Sequence, residues 1–211
     1  MKYIKVNKKN KRKLKRVKIR NRHLVKKYPW IAPRNWWNGK LIDGYDYSYT
    51  EWELPIGWHK AFGQMYLKEL GAAIKEAGLE REFEIQQIKE KYGSLRVYTN
   101  CYTEEIQGII DKYEYLSENI CIKCGKPDVK QITKGWIYPI CFDCYTNKSA
   151  NTEDQKMKLY REATEGSTDT MADSYTIRRF NIDGSSEHTY DISETANAIR
   201  KHYERRMKRR G

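Results

Sequence analysis

Apolar positions recur at helical spacing in the middle of the chain. Within residues 57–78, Trp58, Phe62 and Ile74 fall on one face of a helix, because residues three or four apart share a face. Gly78 can take the left-handed conformation that commonly ends a helix. The pattern predicts an amphipathic helix that ends near Gly78.

The next segment changes to a period of two. Phe83 and Ile85 alternate with polar residues, as do Leu95 and Val97, and residues 92–94 between these runs are Tyr-Gly-Ser. Alternation of this kind is typical of strands with one buried face. We therefore expect a β-hairpin.

A second helix is predicted to begin at Thr103. Its hydroxyl can cap the helix, and Glu104 and Glu105 suit the positive end of the helix dipole. Apolar residues then recur at helical spacing, namely Ile106, Ile109, Ile110, Tyr113 and Leu116. This helix leads directly into a cysteine-rich segment.

The C-terminal third of the chain is more polar. Residues 147–174 predict a linker that contains one short helix, and Asp183-Gly184 favours the tight turn of a second hairpin. Asp191 and Glu194 match the capping box of a final helix. The apolar face of that helix is Ile192, Ala196, Ile199, Tyr203 and Met207.

Together these elements predict an α+β fold. We expect a basic arm at residues 1–27, a body at 28–146, a linker at 147–174 and a C-terminal β-hairpin and helix at 175–211. In the body, a small helix–hairpin–helix unit is closed by a cysteine ribbon at 120–146. No apolar run is long enough to predict a transmembrane helix or a secretory signal, so a cytoplasmic location is expected.

Positive charge is concentrated at the two ends of the chain, which has a formal net charge of +13. Residues 1–27 hold 14 Lys or Arg residues and no acid, and residues 200–211 hold seven Lys or Arg residues and one acid. Residues 28–199 are therefore net acidic. Basic ends of this density favour phosphate binding, although a solvated charge run is the simpler alternative.

Nucleic-acid contacts are predicted from these basic ends. Phosphate contacts supply affinity and position rather than sequence choice. The N-terminal arm fits either a basic amphipathic helix or a segment that folds only when a partner neutralises its charge. The candidate contact residues are Lys11, Arg12, Lys13, Lys15, Arg16, Lys18, Arg20, Arg22, Arg205, Arg206 and Arg209.

Four of the five cysteines form two Cys-x-x-Cys pairs that are separated by 16 residues. Two such pairs supply four sulfur atoms for a tetrahedral metal site, so we predict one structural Zn²⁺ per chain. Two disulfides or a redox dithiol are the alternatives. The predicted ligands are Cys121, Cys124, Cys141 and Cys144. The fifth cysteine, Cys101, is interpreted as a small buried apolar residue.

The segment at residues 28–58 is rich in aromatic residues and holds five of the six tryptophans. One interpretation is a loop-rich core in which aromatic packing replaces regular structure. The other is a recognition surface, because Trp and Tyr are frequent anchors of protein interfaces and also stack on bases. The candidate partner-binding residues are Trp36, Trp37 and Tyr47.

Catalytic motifs are absent from the sequence. A four-thiolate zinc site leaves no open coordination position for a substrate. The four histidines, His23, His59, His188 and His202, fit no nucleophile or metalloprotease pattern, and no phosphate-binding glycine loop is present. We therefore predict that the protein is not an enzyme.

The motifs YPWIAPRNWWNGK, GWHKAFG, IQQIKEKYGSLRVY and CIKCGKP…GWIYPICFDC occur in this order. This set resembles small phage- and prophage-encoded zinc-ribbon proteins of uncharacterised function. The resemblance covers about residues 24–146, and the C-terminal 60 residues depart from it. It implies the four cysteines as zinc ligands and no catalytic residues.

Two functions are expected from these observations. The first is a phage-type accessory protein that binds RNA, DNA or a nucleoprotein through its basic ends. The alternative, suggested by the resemblance, is an inhibitor of the anti-CRISPR type, which blocks a host defence nuclease, such as an RNA-guided one, by protein–protein contacts in the host cytoplasm.

Overall fold

The computed structural model describes residues 15, 19, 22–32, 37–38, 40, 54–147, 152–167, 176–180 and 187–209, with residues 176–180 and 187–190 described by their backbone. Helices alternate along the chain with two-stranded antiparallel sheets. The α+β prediction is therefore confirmed.

The first long helix, α1, runs from Ile56–Trp58 through a π-helical segment, His59–Gly63, into Gln64–Glu76. It ends where its sequence predicts, since Gly78 has a φ of +69°. The face assigned to the core is buried. Trp58, Phe62 and Ile74 are at most 1% exposed, and Tyr66 and Leu70 complete this buried face at the same level of exposure.

The predicted hairpin forms from β1 (Ile85–Lys91) and β2 (Ser94–Thr99). Its two-residue turn has positive φ at both Tyr92 (+52°) and Gly93 (+78°). This combination matches the right-handed twist of the flanking strands. Tyr92 is in the left-handed region although it is not glycine, so the turn carries some backbone strain.

The second helix, α2 (Glu104–Ser117), begins as predicted, with the Thr103 hydroxyl accepting a hydrogen bond from the Ile106 amide. It covers the outer edge of β2. The Leu95 amide donates to the Ser117 hydroxyl at 2.8 Å, and the Val97 amide donates to the Glu114 carboxylate at 2.9 Å. Pairing these amides with side chains protects an edge on which another strand would otherwise pair.

The main core lies between α1, α2 and the hairpin. The Tyr113 ring packs 5.4 Å from the ring of Phe62 and 5.1 Å from the ring of Tyr66. Leu95 of β2 and Ile110 of α2 are at most 1% exposed. Aromatic rings bury a large area per residue, so this polar sequence still forms an apolar core.

The ribbon follows α2. It contains β3 (Gln131–Ile132), β4 (Tyr138–Pro139) and a short helix, α3 (Phe142–Thr146). It has a small core of its own. The buried residues of this core are Cys121, Val129, Ile132, Ile140, Cys141 and Ala163.

The predicted linker contains a helix, α4 (Glu153–Thr164), that packs on the ribbon. Thr152 and Gln155 form a capping box at its start, a motif that the sequence analysis missed. The Tyr160 hydroxyl donates to the Ile140 carbonyl at 2.8 Å, and the Thr133 amide donates to the Ala163 carbonyl at 2.9 Å. Residues 152–167 are therefore part of the ribbon's packing.

The C-terminal module consists of β5 (Thr176–Phe180), β6 (Glu187–Asp191) and α5 (Ser193–Lys208). Its predicted turn at residues 183–184 lies outside the described residues. The start of α5 joins the main core, where Ile192, Ala196 and Ile199 are fully buried. This helix is therefore packed on the body.

The predicted capping box of α5 is wrong. The N-cap residue of the helix is Ile192, not Asp191, and its side chain makes no capping hydrogen bond. The Asp191 carboxylate instead accepts a hydrogen bond from the Ser193 amide at 2.8 Å. This bond lowers the pKa of Asp191. Ile192 is fully buried in the main core, so the start of the helix is packed on the body.

Candidate metal centre and basic surfaces

The first cysteine pair, Cys121 and Cys124, lies in a tight turn after α2. The Gly125 amide donates to the Cys121 carbonyl at 2.8 Å, and the Cys121 amide donates to the Lys126 carbonyl at 2.8 Å. Gly125 has a φ of +78°, a conformation that glycine adopts readily. This turn brings both thiols to the same side.

The start of α1 supports this turn. The Gly57 amide donates to the Ile122 carbonyl at 2.9 Å, and the Trp58 indole donates to the Ile120 carbonyl at 2.8 Å. A Cβ atom on Gly57 would lie 2.0 Å from the Cys121 carbonyl oxygen. Glycine at this position therefore permits the helix and the cysteine turn to approach each other.

The second pair, Cys141 and Cys144, lies at the start of α3. Cys141 is the N-cap residue of this helix, so Cys144 follows one turn later on the same side. The Ile140 amide donates to the Lys130 carbonyl at 3.1 Å, which holds this pair beside the strand that follows the first pair. The ribbon thus folds the two pairs together across 16 residues.

The four sulfur atoms all lie within 4.8 Å of one another. The Sγ atoms of Cys124 and Cys141 are 3.6 Å apart. Cys121 and Cys141 are buried, and Cys124 and Cys144 are half-buried. The group can hold a metal ion, as the sequence predicts. Cys101 is not part of this group; it packs against the main core and is half-buried, not fully buried as its interpretation required.

Thiols at this separation shift one another's pKa. Hydrogen bonds from Cys124 and Cys141 lower the pKa of Cys121. The pKa of Cys141 is raised, mainly by its hydrogen bond with Cys121. Burial raises the pKa of Cys144 to about 12. Several adjacent thiolates repel one another unless a cation lies between them, and a coordinating metal deprotonates its thiols. The cluster is therefore suited to a bound cation.

Helix α5 contacts the first cysteine turn through two arginines. The Arg200 guanidinium forms two hydrogen bonds with the Asp128 carboxylate, at 2.9 and 2.7 Å. Asp128 lies four residues after Cys124 and has a φ of +56°. A bidentate arginine–carboxylate pair fixes geometry better than a single contact does. This pair holds the middle of α5 against the ribbon.

The second arginine, Arg206, reaches both the ribbon and α1. Its Nη2 donates to the Cys124 carbonyl at 2.6 Å, and its Nη1 donates to the Lys60 carbonyl at 3.0 Å. The Lys60 carbonyl belongs to the π-helical segment of α1, and His202 Nε2 lies 3.2 Å from the same oxygen. π-Helical segments change the hydrogen bonding inside a helix, and here one carbonyl accepts from α5.

These contacts separate the predicted nucleic-acid-binding residues into exposed and inward-facing ones. Arg205 and Arg209 are exposed, as are Lys15 and Arg22 in the N-terminal arm. Arg206 is instead half-buried and bonded to backbone carbonyls. The other six predicted contacts, Lys11, Arg12, Lys13, Arg16, Lys18 and Arg20, lie outside the described residues.

The arm is helical at residues 22–27. Leu24 in this helical part and Tyr28 beyond it both join the main core. The end of the arm is thus anchored to the body. The contact of Leu24 with the core is consistent with the apolar spacing seen in the sequence of the arm.

The aromatic segment is divided between core and surface. Trp30 and Trp58 are buried, at 6% and 0% exposure, which agrees with the interpretation as a core. Trp37 is 80% exposed, as a recognition residue requires. Trp36 and Tyr47, the other two predicted partner-binding residues, lie outside the described residues.

Sequence reasoning missed Gly57, Asp128 and Arg200. The residues around Gly57 have the pattern of an ordinary helix start, and Arg200 belongs to a cluster of cations in which no single residue stands out. The glycine at position 57 was the available signal, because glycine is unfavourable in a helix unless close packing requires it.

Comparison with protein-family models, curated proteins and solved structures finds no significant match to this chain. The resemblance to phage zinc-ribbon proteins therefore stays a prediction. Among the described residues, no helix combines the length and apolar character that crossing a membrane requires.

Proposed function

We propose that the four cysteines bind one structural Zn²⁺ and that the protein is a non-enzymatic accessory protein of the phage type. In this proposal a helix–hairpin–helix body, closed by a zinc ribbon, presents the basic ends of the chain to nucleic acid or to a nucleoprotein complex.

Zinc is favoured by the donor set. Four thiolates in a compact cluster suit a soft, tetrahedral ion, and the calcium and magnesium sites of proteins use oxygen ligands instead. With four sulfur ligands, no coordination position stays open for water or substrate. The metal would then stabilise the ribbon and take no part in a reaction.

The distribution of cations on α5 carries the functional proposal. Lys201, Arg205 and Lys208 follow one another at intervals of four and three residues, so they share one face of the helix. All three are exposed, whereas Arg200 and Arg206 are turned inward to Asp128 and to backbone carbonyls. A row of exposed cations is suited to contact with successive phosphates.

Binding assays at several salt concentrations test this proposal. The triple variant Lys201→Gln, Arg205→Gln, Lys208→Gln should weaken binding to single-stranded and duplex probes alike. Each lost phosphate contact should reduce the log–log salt slope on duplex DNA by ~0.9. A chain lacking residues 1–20 tests the arm while retaining Leu24, which is part of the core.

The matched control is the triple variant Lys75→Gln, Lys158→Gln, Arg161→Gln. It removes the same charge from exposed positions on α1 and α4. If both triple variants bind with the same affinity and salt slope, a specific role for α5 is excluded.

A protein-binding inhibitor of a host defence nuclease is the second candidate, and the exposed indole of Trp37 favours it. In this case Trp37→Ala should abolish inhibition of a purified RNA-guided nuclease while binding to free nucleic acid stays unchanged. A loss of free nucleic-acid binding in the same variant would instead assign Trp37 to the first function.

A further inference from the structure

The hairpin β1–β2 has one buried face and one basic, aromatic face. Leu95 and Val97 pack into or against the main core. Residues directly opposite in an antiparallel pair share a face, and Lys89 pairs with Arg96 while Gln87 pairs with Tyr98. The face opposite the core therefore carries Gln87, Lys89, Lys91, Arg96 and Tyr98.

Two lysine–tyrosine pairs occupy this face and the adjoining turn. The Lys89 ammonium lies 5.0 Å from the centre of the Tyr98 ring, and the Lys91 ammonium lies 5.4 Å from the centre of the Tyr92 ring. Tyr92 is 69% exposed and Tyr98 is 43% exposed. Cations and aromatic rings thus lie side by side on an accessible surface.

Acidic groups nearby are already engaged. The Glu90 carboxylate accepts the Gly93 amide at 2.7 Å on the opposite side of the strand. The Glu114 carboxylate pairs with Arg96 at 3.2 Å. Lys89 and Lys91 therefore dominate the charge of this face.

The end of the ribbon hairpin lies beside the turn of β1–β2. A Cβ atom on Gly93 would lie 3.1 Å from the Tyr138 Cα and 3.3 Å from the Ile137 side chain, so the hairpin turn packs on the end of the ribbon hairpin. Trp136 precedes Ile137 and is 73% exposed.

We propose that this face binds single-stranded nucleic acid. Unpaired bases stack on Tyr92 and Tyr98, with Trp136 as a further stacking position, while Lys89 and Lys91 contact the phosphates. Every base has an aromatic face, so such a site tolerates many sequences. A duplex keeps its bases stacked inside and cannot use the tyrosine rings.

The dimensions of the hairpin suit a short strand. Tyr98 lies opposite Gln87, and Tyr92 lies in the turn, four to five residues further along the hairpin. This separation corresponds to about 15 Å at ~3.4 Å per residue. A separation of this size accommodates several nucleotides, within the range of about 4 to 16 that single-stranded binding modules cover.

The inference rests on the proposed function because both require that the protein binds nucleic acid. It uses a surface separate from the basic ends. Anisotropy measurements with labelled single-stranded and duplex oligonucleotides of about 12 nucleotides test it. Tyr92→Ala and Tyr98→Ala should each weaken single-strand binding by about 5-fold or more and leave duplex binding unchanged.

Tyr102→Ala is the matched control, because Tyr102 is 63% exposed and lies in the connection to α2. Tyr98→Leu keeps apolar contacts without an aromatic ring, so it replaces Tyr98→Ala if that variant fails to fold. Lys89→Gln with Lys91→Gln should lower the salt dependence of single-strand binding.

The outcomes separate the two proposals. If the α5 variant loses binding to single-stranded and duplex probes to the same extent, while the tyrosine variants bind like the wild type, the basic ends bind nucleic acid and the hairpin site is refuted. If only the tyrosine variants lose single-strand binding, the hairpin site stands and the role of the basic ends is refuted. Absence of nucleic-acid binding by the wild-type protein overturns both.

Discussion

The Arg206 guanidinium donates a hydrogen bond to the carbonyl oxygen of Cys124 at 2.6 Å, across 82 positions of sequence. The last turns of the basic helix α5 are thereby held by the backbone of a candidate metal ligand. The conformation of that cysteine turn and the position of the exposed cations on α5 are thus physically linked.

Metal removal is expected to unfold the ribbon and to release the end of α5. Binding of Zn²⁺ to four thiolates supplies ~10 kcal/mol or more of folding free energy in small zinc domains. Elemental analysis should give one zinc per chain. A strong chelator should then accelerate amide hydrogen exchange in the ribbon and at residues 203–208.

Cysteine variants provide the control for this prediction. Cys121→Ser should lose the metal, because it removes one of the four clustered sulfurs. Cys101→Ser should retain it, since Cys101 is not one of the four clustered cysteines. Metal-free but fully folded wild-type protein, purified under reducing conditions, would contradict the prediction.

Arg206→Gln is expected to destabilise the protein by about 1.5–3 kcal/mol per charged hydrogen bond lost. The neighbouring Arg205→Gln removes the same charge from an exposed position and should change the unfolding free energy by less than about 0.5 kcal/mol. Urea unfolding of both variants measures the difference. Equal stabilities would mean that the two backbone contacts of Arg206 contribute nothing.

Gly57→Ala should destabilise the protein although alanine is the better helix former by about 1 kcal/mol. The new Cβ would lie 2.0 Å from the Cys121 carbonyl oxygen, so α1 and the cysteine turn must separate. We expect a loss of about 1–3 kcal/mol or more, as for other overpacked sites, together with weaker metal retention.

Gly135→Ala serves for comparison with Gly57→Ala. Apart from its chain neighbours, no atom of the described residues lies within 4 Å of a Cβ at position 135, so the strain there comes from its φ of +88°. This variant should lose stability but keep its metal. A Gly57→Ala protein with wild-type stability would show that the helix and the cysteine turn are not in close contact.

Tyr66 and Tyr113 are expected to respond in opposite ways to replacement by phenylalanine. The Tyr66 hydroxyl is buried and has no hydrogen-bond partner among the described residues, whereas the Tyr113 hydroxyl donates to the Glu69 carboxylate at 2.7 Å. Tyr66→Phe should be neutral or stabilising, and Tyr113→Phe should cost about 1.5–3 kcal/mol because its partner is charged. Thermal unfolding of the two variants compares them directly.

The same tyrosines predict a loss of stability at alkaline pH. Burial, with Glu114 nearby, raises the pKa of Tyr66, and burial together with Glu69 raises the pKa of Tyr113. Above the ordinary tyrosine pKa of about 10, the unfolded chain releases these protons while the folded chain retains them. Stability should therefore fall as pH rises above about 10, and less steeply in Tyr66→Phe.

Helices α1, α2 and α5 and the first hairpin were predictable because their signals are local. Apolar residues at a period near 3.6 identified α1 and α2, and alternation identified β1 and β2. The cysteine spacing identified the four candidate ligands, because two Cys-x-x-Cys pairs have few other uses in a reduced chain. Each of these inferences depends on residues within about 20 positions of one another.

Other features depended on packing between distant parts of the chain. Helix α4 read as part of a linker because its sequence is polar, yet Tyr160 and Ala163 pack on the ribbon. The capping box at Asp191 and Glu194 was plausible locally and did not form, because the Asp191 carboxylate accepts from the Ser193 amide and the N-cap is the buried Ile192.

The sequence by itself determined the α+β composition, the four clustered cysteines and the basic ends. Tertiary structure alone distinguished the inward Arg200 and Arg206 from the exposed Arg205. It also placed Lys89 and Lys91 beside exposed tyrosine rings. The reason is physical: periodicity and spacing record local geometry, whereas the exposure of a cation depends on which distant carbonyl or carboxylate the fold brings within hydrogen-bonding distance.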